Sequence, residues 1–298
     1  MQLFFGLLPA LRVPIHRLEE ALRAGARTVG ANSRPLHSAF VISEIALAFV
    51  LLVSAGMLGH TLLALSDLSP GFNAHDVLAA RFALSPSVLD DPSRIRSAWH
   101  DVLDRCRRVP GVEFAALTDI VPMREGENVG PYLSTPNPLP PDQEPLALFS
   151  SATPDYVKVM GIPLLDGRFF NQHDQEGSEP VVVVDENLAQ HAFGRKDVVG
   201  QHLWGPLFGG RPMRIIGVVG HVRHWGLAGD DQSRVHDQIY YAFDQVPPHL
   251  LHFFSSVMSI TVRTRISPLN IVPPLQRELR GAAGDQMLYE VRTIRASP

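Results

Sequence analysis

The 298-residue chain has a single cysteine, Cys106, so it can form no intramolecular disulfide and offers no Cys-based metal site. Lysine is almost missing: Lys158 and Lys196 are the only two, and arginine supplies the other basic side chains. There is no G-x-x-x-x-G-K-[ST] phosphate loop, which excludes a P-loop ATPase within this chain. There is also no G-x-S-x-G elbow and no H-E-x-x-H helix, so two common hydrolase signatures are absent. A net charge of -4 gives no electrostatic footprint for nucleic acid. Charged residues, at 19%, are too few for a disordered chain, and 45% apolar residues can fill a core.

What the chain does have is one long apolar run. The stretch 38–65 reads SAFVISEIALAFVLLVSAGMLGHTLLAL, and from Ala39 to Gly59 the only charge is Glu44. About 20 apolar residues in a helix cross a hydrocarbon core, so this segment is expected to span a membrane. A buried core helix seldom runs past ~14 apolar residues, and a cleaved signal peptide would start earlier and end at a small-residue site. Arg12, Arg17, Arg23, Arg27 and Arg34 precede the run. After it, residues 60–91 carry only Arg81 against Asp67, Asp76, Asp90 and Asp91. Basic flanks stay in the cytoplasm, which places residues 1–37 inside and everything from about residue 66 outside. A carboxylate such as Glu44 costs ~2.5–3.5 kcal/mol at mid-membrane and less near the edge. Two readings stand for it: a polar contact with a neighbouring helix, or a tolerated interfacial acid.

The opening residues 1–10, MQLFFGLLPA, read as the end of a preceding membrane helix. Ile15, Leu18 and Leu22 then share one helical face, with Arg17 and Arg23 off it and Gly25 as a stop. Such a basic amphipathic segment either contacts a cytoplasmic partner or the inner membrane surface, or is a plain solvated helix.

The outer region shows one pattern twice. Val77 to Leu84 reads as a strand. Asp91-Pro92 opens a helix with Ile95, Trp99, Val102, Cys106 and Val109 at helical spacing, Pro110-Gly111 ends it, and Val112 to Thr118 reads as a second strand. Near the end, Val257 to Thr264, a helix entered at Ser267-Pro268 with Leu275, Leu279 and Ala282 on its stripe, and Met287 to Thr293 repeat that order. Pro273-Pro274 should start or break this helix, because interior proline costs ~3 kcal/mol or more.

The fold expected is therefore α+β: one transmembrane helix (38–65), then a ferredoxin-like split βαβ domain. Its halves are 70–120 and 255–298, and a second α+β subdomain, 121–254, is inserted between them. Within the insert, 123–145 is rich in Pro and Gly and reads as an exposed loop. Thr153 is expected to cap a short helix to Met160. Strands are expected at Pro180–Asp185, Met213–Val219 and Gln238–Phe243, and a helix at Glu186–Phe193.

Four further places carry residue types that could do chemistry. His221 and His224, in HVRH, read as an exposed turn rather than a metal site. His173-Asp174 beside Glu176 reads as a polar surface loop. Asp185-Glu186 reads as acids favoured at a helix N-terminus rather than a general acid/base pair. Gly205 with Gly209-Gly210 reads as a hairpin loop rather than a dinucleotide site.

The ordered set of motifs resembles a family. It comprises E-x-A-L-A-x-V-L-L-V-x-A-G at Glu44–Gly56, then Pro70-Gly71-Phe72 and Val77-Leu78. Pro154-x-Tyr156 follows, then Met160-Gly161-Ile162-Pro163-Leu164-Leu165-x-Gly167-Arg168, VVVVDEN at Val181–Asn187, Val199-Gly200, and IIGVVGHVRH at Ile215–His224. Together these are similar to permeases of the MacB/FtsX type of ABC transporter, most of all to the duplicated orphan permeases of acidobacteria. The likeness runs over nearly the whole chain. Where relatives often have Asp at the position of His221, this chain has His.

The resemblance implies a MacB-like periplasmic core domain on the outer face of a bacterial inner membrane. It implies no enzyme activity and no cofactor in this chain, ATP being bound by a separate cytoplasmic ATPase subunit in trans. It implies further spanning helices before Met1 and after the closing strand, so the chain is expected to be a fragment or truncated product. A homodimer, or a hetero-oligomer with other permease chains, is the expected assembly. The function implied is a permease-type subunit whose outer domain relays ATP-driven motion to a substrate or periplasmic partner. The alternative is a membrane-anchored binding or sensing module not coupled to ATP, with a ligand pocket in the insert.

Overall fold

The computed structural model describes residues 34–66, 68–73, 75–123, 128–140, 143–226, 229–230, 233–280 and 288–294. The expected Ile15–Arg23 segment lies outside the described residues. The chain divides into two units, Met1–Ala64 and Leu65–Pro298.

Helix α1 runs over Arg34–Ser66, all but its last two residues in the first unit. Its apolar stretch Ser38–Leu63 is 26 residues long and is not buried against the rest of the chain. At 1.5 Å per residue that is ~39 Å, longer than a hydrocarbon core. A core helix of a soluble domain would be covered; this one is not. Its hydroxyls are satisfied within the helix: Ser54 donates to the Val50 carbonyl at 2.8 Å and Thr61 to that of Met57 at 3.0 Å. Lipid offers no other partner for such groups.

The second unit is built on one sheet. Strand β1 (Val77–Ala83) leads through a short helix α2 (Pro86–Leu89) to helix α3 (Pro92–Arg108) and strand β2 (Val112–Thr118). Asp91 caps α3 by accepting from the Ser93 amide at 2.9 Å, and Pro92 fills the first position, where no amide is needed. There follow β3 (Val129–Pro131), β4 (Leu146–Ala152), α4 (Tyr156–Met160), β5 (Leu164–Gly167), β6 (Val181–Asp185), α5 (Glu186–Phe193), β7 (His202–Leu203), β8 (Met213–Val219) and β9 (Asp237–Ala242). Helix α6 (Pro248–Ser255), β10 (Val257–Thr264), α7 (Pro268–Leu279) and β11 (Tyr289–Thr293) close the described chain.

The sheet order is β11-β1-β10-β2-β4-β9-β6-β8-β5, with β3 on β4 and β7 on β8. Its first four strands are antiparallel and run fourth, first, third, second among the strands of the two repeated units, which is the expected ferredoxin-like arrangement. The insert does not form a separate sheet. Thr118 pairs with Ala152, and the sheet continues through β4 into β9, β6, β8 and β5.

Two apolar clusters cover the two faces, and each draws on both parts of the chain. Leu78, Ala80 and Phe82 of β1 and Val182 and Val184 of β6 face one side, under Trp99, Cys106, Leu188 and Leu275. Val77, Ala79, Val181 and Val183 face the other, with Phe72, Tyr156 and Met160. A strand covered on both faces reads as an unbroken apolar run, which is why VVVV precedes Asp185. Trp99 is fully buried, meets Phe82 edge-on at 5.9 Å between ring centres, and donates its indole N–H to the Ser255 carbonyl at 2.8 Å. Cys106 is buried in the same cluster, two turns further along α3, and desolvation pushes its thiol pKa up to about 12.

Three local expectations change. Helix α7 is continuous through Pro273 and Pro274. The carbonyls that lose their amide partners are those of Leu269 and Asn270, both exposed to water, while Ile271, Leu275 and Leu279 bury the helix's inner stripe. Thr153 does not cap α4. Its hydroxyl accepts from the Leu117 amide at 2.9 Å, and the N-cap residue is Asp155, without a side-chain bond. The 123–145 stretch is not loop throughout: β3 pairs with β4, and Tyr132 is buried.

Candidate functional site

One cluster of polar groups of the outer unit lies against Pro70–Asn73. Pro70-Gly71-Phe72 forms a tight linker. Phe72 enters the core with Tyr156, Met160 and Val222. The Pro70 carbonyl accepts from the Arg223 amide at 3.0 Å, and the Asn73 amide donates to the Met160 carbonyl at 2.8 Å. Gly71 has φ +81°, and a Cβ there would lie 1.9 Å from the His221 carbonyl oxygen. Only glycine fits this approach, so the linker backbone lies directly on the His221 turn.

Arg263, on β10, ties down the next residues. Its Nη2 donates to the Asn73 carbonyl at 2.8 Å and Nη1 to that of His75 at 3.0 Å, while Nε reaches the Val159 carbonyl at 2.9 Å. At the same edge the Ile294 amide, just past β11, donates to the Val77 carbonyl at 3.0 Å. The planar fork of an arginine serves several acceptors at once, which a lysine cannot reproduce. Arg263→Met is therefore expected to raise hydrogen exchange at the Asn73 amide about tenfold, equivalent to ~1.4 kcal/mol of local opening, with the β2 amides unchanged. Hydrogen exchange with mass spectrometry reads both segments in one run.

The turn under the linker is held by two buried acids and a half-buried histidine. Asp185, at the end of β6, caps α5 by accepting from the Leu188 amide at 3.0 Å, and it also accepts from the Gln238 amide at 3.0 Å. Its second oxygen lies 2.7 Å from His221 Nδ1. His221 Nε2 lies 2.9 Å from Asp230, whose other oxygen accepts from the His224 amide at 2.9 Å. With a carboxylate on each ring nitrogen, His221 is an imidazolium. Desolvation lowers its pKa, but the two carboxylate hydrogen bonds outweigh it and lift the value to about 9. Complete burial raises the pKa of Asp185. At the less enclosed Asp230, desolvation is overcome by the His221 hydrogen bond and the pKa falls.

HVRH is thus not the exposed turn expected: the His221 side chain is 16% exposed, and His224 is buried. The physical reason is that Asp185 and Asp230 close on the ring from either side. His173-Asp174 also differs, since Asp174 is buried and takes a two-pronged bond from Arg168 at 2.6 and 2.8 Å, while His173 stays exposed. Asp185-Glu186 does sit at a helix N-terminus, with Glu186 paired to Lys196 at 2.6 Å. Glu44 projects from α1 with no ion-pair partner among the described residues. The sequence holds one signal for the His221 cluster, an acid ending an all-apolar strand. Its partners stand 36 and 45 positions away, beyond any local pattern.

Two more buried acids fasten the β3 segment. Asp237 accepts from the Tyr132 hydroxyl at 2.7 Å and lies 2.7 Å from His191 Nδ1. Asp119 accepts from Asn128 at 3.0 Å and from the Ser151 amide at 2.8 Å, and burial raises its pKa to about 6. A groove of about 940 Å³, lined among others by Arg107, Lys158, Arg168 and Phe170, lies between α3 and the 153–173 stretch of the insert.

The profile of the MacB-like periplasmic core domain matches residues 38–269. The macrolide export ATP-binding/permease protein MacB 2 of Aeromonas hydrophila is 30% identical over 117 residues, which is 38% of this chain and 16% of that protein. MacB of Escherichia coli K12 is 42% identical over 65 residues, 22% of this chain and 10% of that protein. The matched stretches therefore span a small part of these relatives. Among solved structures, the periplasmic region of MacB from Actinobacillus actinomycetemcomitans superposes with a TM-score of 0.49 at 16% identity, covering 77% of this chain and 94% of that one. The extracellular domain of the noncanonic ABC-type transporter YknZ from Gram-positive bacteria gives 0.43 at 16% identity, covering 72% and 100%.

Proposed function

Because this chain belongs to the MacB-like periplasmic core domain family, we propose that it is a permease-type part of an ABC transporter whose outer domain relays motion driven by ATP elsewhere. One observation carries this reading: a single family profile runs unbroken from Ser38, at the start of the apolar span, to Leu269 in α7. The membrane helix and the sheet domain are thus parts of one module. The relay needs a stiff joint between them, and the linker bonds to Arg223, Met160 and Arg263 supply stiffness on the domain side.

In this reading α1 sits in a bacterial inner membrane and the sheet domain lies on the periplasmic side. A cytoplasmic ATPase subunit acts in trans, and two or more permease chains assemble. Ile15, Arg17, Leu18, Leu22 and Arg23 form its contact, and Glu44 faces a neighbouring helix. No catalytic step or cofactor is assigned to this chain.

Full-length protein purified from its own membranes should carry a nucleotide-binding subunit with ATPase activity. Arg17→Glu with Arg23→Glu should reduce its recovery at least fivefold. If no ATPase accompanies the chain and it runs as a monomer, the motor is missing and the relay reading fails.

A further inference from the structure

The linker touches the insert at one point that can change charge. We propose that Asp185, His221 and Asp230 form a proton-dependent latch, which tightens the hold of the insert on Pro70–Asn73 while His221 is protonated and loosens it when the ring is neutral. This rests on the relay reading for its purpose, since an open latch would leave the membrane segment less tightly coupled to the insert, but not for its geometry.

The geometry is specific. Gly71 lies on the His221 carbonyl so closely that no side chain fits between them. Pro70 is bonded to Arg223, two residues further on. The turn from His221 to Arg223 therefore helps to hold the linker, and the imidazolium between two acids fixes the His221 end of the turn. Asp185 belongs to β6 and α5, so it cannot follow a moving turn; it is fixed by the Leu188 and Gln238 amides. Gln238 also donates from Nε2 to the Val222 carbonyl at 2.5 Å, which anchors the middle of the turn to β9. Loss of the ring proton leaves one nitrogen without a hydrogen, facing a carboxylate lone pair, and one of the two bonds must open.

The groups around His221 all bear on this titration. Asp185 and Asp230 touch the ring, and Glu186, paired with Lys196, accepts from the His221 backbone. Arg223 acts on Asp230 through its charge, and the buried His224 shares the turn. Two acids against one imidazolium favour the charged ring. The sign follows from a folded pKa raised to about 9 above the ordinary 6.5. Latch strength is complete below about pH 6.5, declines above it, and is gone once pH passes about 9.

The test is hydrogen exchange of the full chain in lipid nanodiscs from pH 6 to 10, corrected for intrinsic rates. Protection of residues 70–73 and 221–224 should fall more than tenfold between pH 6.5 and 9, with β2 and β10 unchanged. His221→Asn should show low protection at every pH and no step. His221→Lys, which stays charged past pH 9, should hold protection across that range, and it decides the matter if the asparagine variant fails to fold. A flat wild-type profile to pH 10, or a step that survives in His221→Asn, overturns the latch. No nucleotide is present, so that outcome leaves the relay standing. Absence of an ATPase subunit removes the relay and leaves the latch.

Discussion

Gly71→Ala is expected to destabilise the outer domain by ~2–5 kcal/mol, the sum of two costs. An L-residue held at positive φ loses ~1–2 kcal/mol, and forcing a methyl against a fixed backbone oxygen adds ~1–3 kcal/mol. The second cost arises because the new Cβ would stand 1.9 Å from the His221 carbonyl, a backbone atom that cannot rotate away. Gly177 provides the internal control. Its φ is +85° but nothing lies within 4 Å of its would-be Cβ, so Gly177→Ala should show the conformational cost alone. In thermal melts of the full chain the difference between the two variants isolates the contact. At ~2–4 °C per kcal/mol for a domain of this size, Gly71→Ala should melt several degrees below Gly177→Ala. Equal midpoints would mean that the linker does not rest on the His221 turn.

Trp99→Ala should cost ~3–5 kcal/mol, the range for removing a fully buried large aromatic. The cavity opens between α3 and β1, where Phe82 loses its edge contact, and the Ser255 carbonyl at the end of α6 loses its donor. Trp99→Phe keeps most of the ring volume and loses mainly the hydrogen bond, so ~1–3 kcal/mol is expected for a buried acceptor left unpaired. Chemical denaturation of the two variants separates packing from hydrogen bonding. If alanine and phenylalanine cost the same, the packing of Trp99 contributes little and the assignment of the core on that face is wrong.

Much of the outer unit was readable from local pattern. Strands β2 and β10 fall on the predicted residues because each is a short, largely apolar run, covered on both faces, that a turn or helix signal bounds. Helix α3 does so because Asp91, Pro92 and Gly111 mark both its ends. Pairing was legible only through the repeated strand–helix–strand order. Features that depend on partners far apart in the chain leave no local signal. Thr153 has the composition of a cap, yet its hydroxyl serves the Leu117 amide on a neighbouring strand. Pro273 and Pro274 look like a helix break, and only the exposed carbonyls of the preceding turn show why the helix tolerates them. The His221 cluster joins a strand end, a turn and a second turn, and no window of sequence contains all three. The inserted strands continue the sheet of the ferredoxin-like strands because β2 and β4 meet at Thr118 and Ala152, a pairing without local signature.

The enclosed Cys106 has a practical consequence. Its sulfur is out of reach of solvent and held as a thiol well above neutral pH, so maleimide or methanethiosulfonate reagents should leave the native chain unlabelled. A pair of cysteines introduced on the surface, one in the linker and one on the insert, would then be the sole points of attachment for spin labels or fluorophores. Distances between them could be followed in membranes without first removing a natural residue.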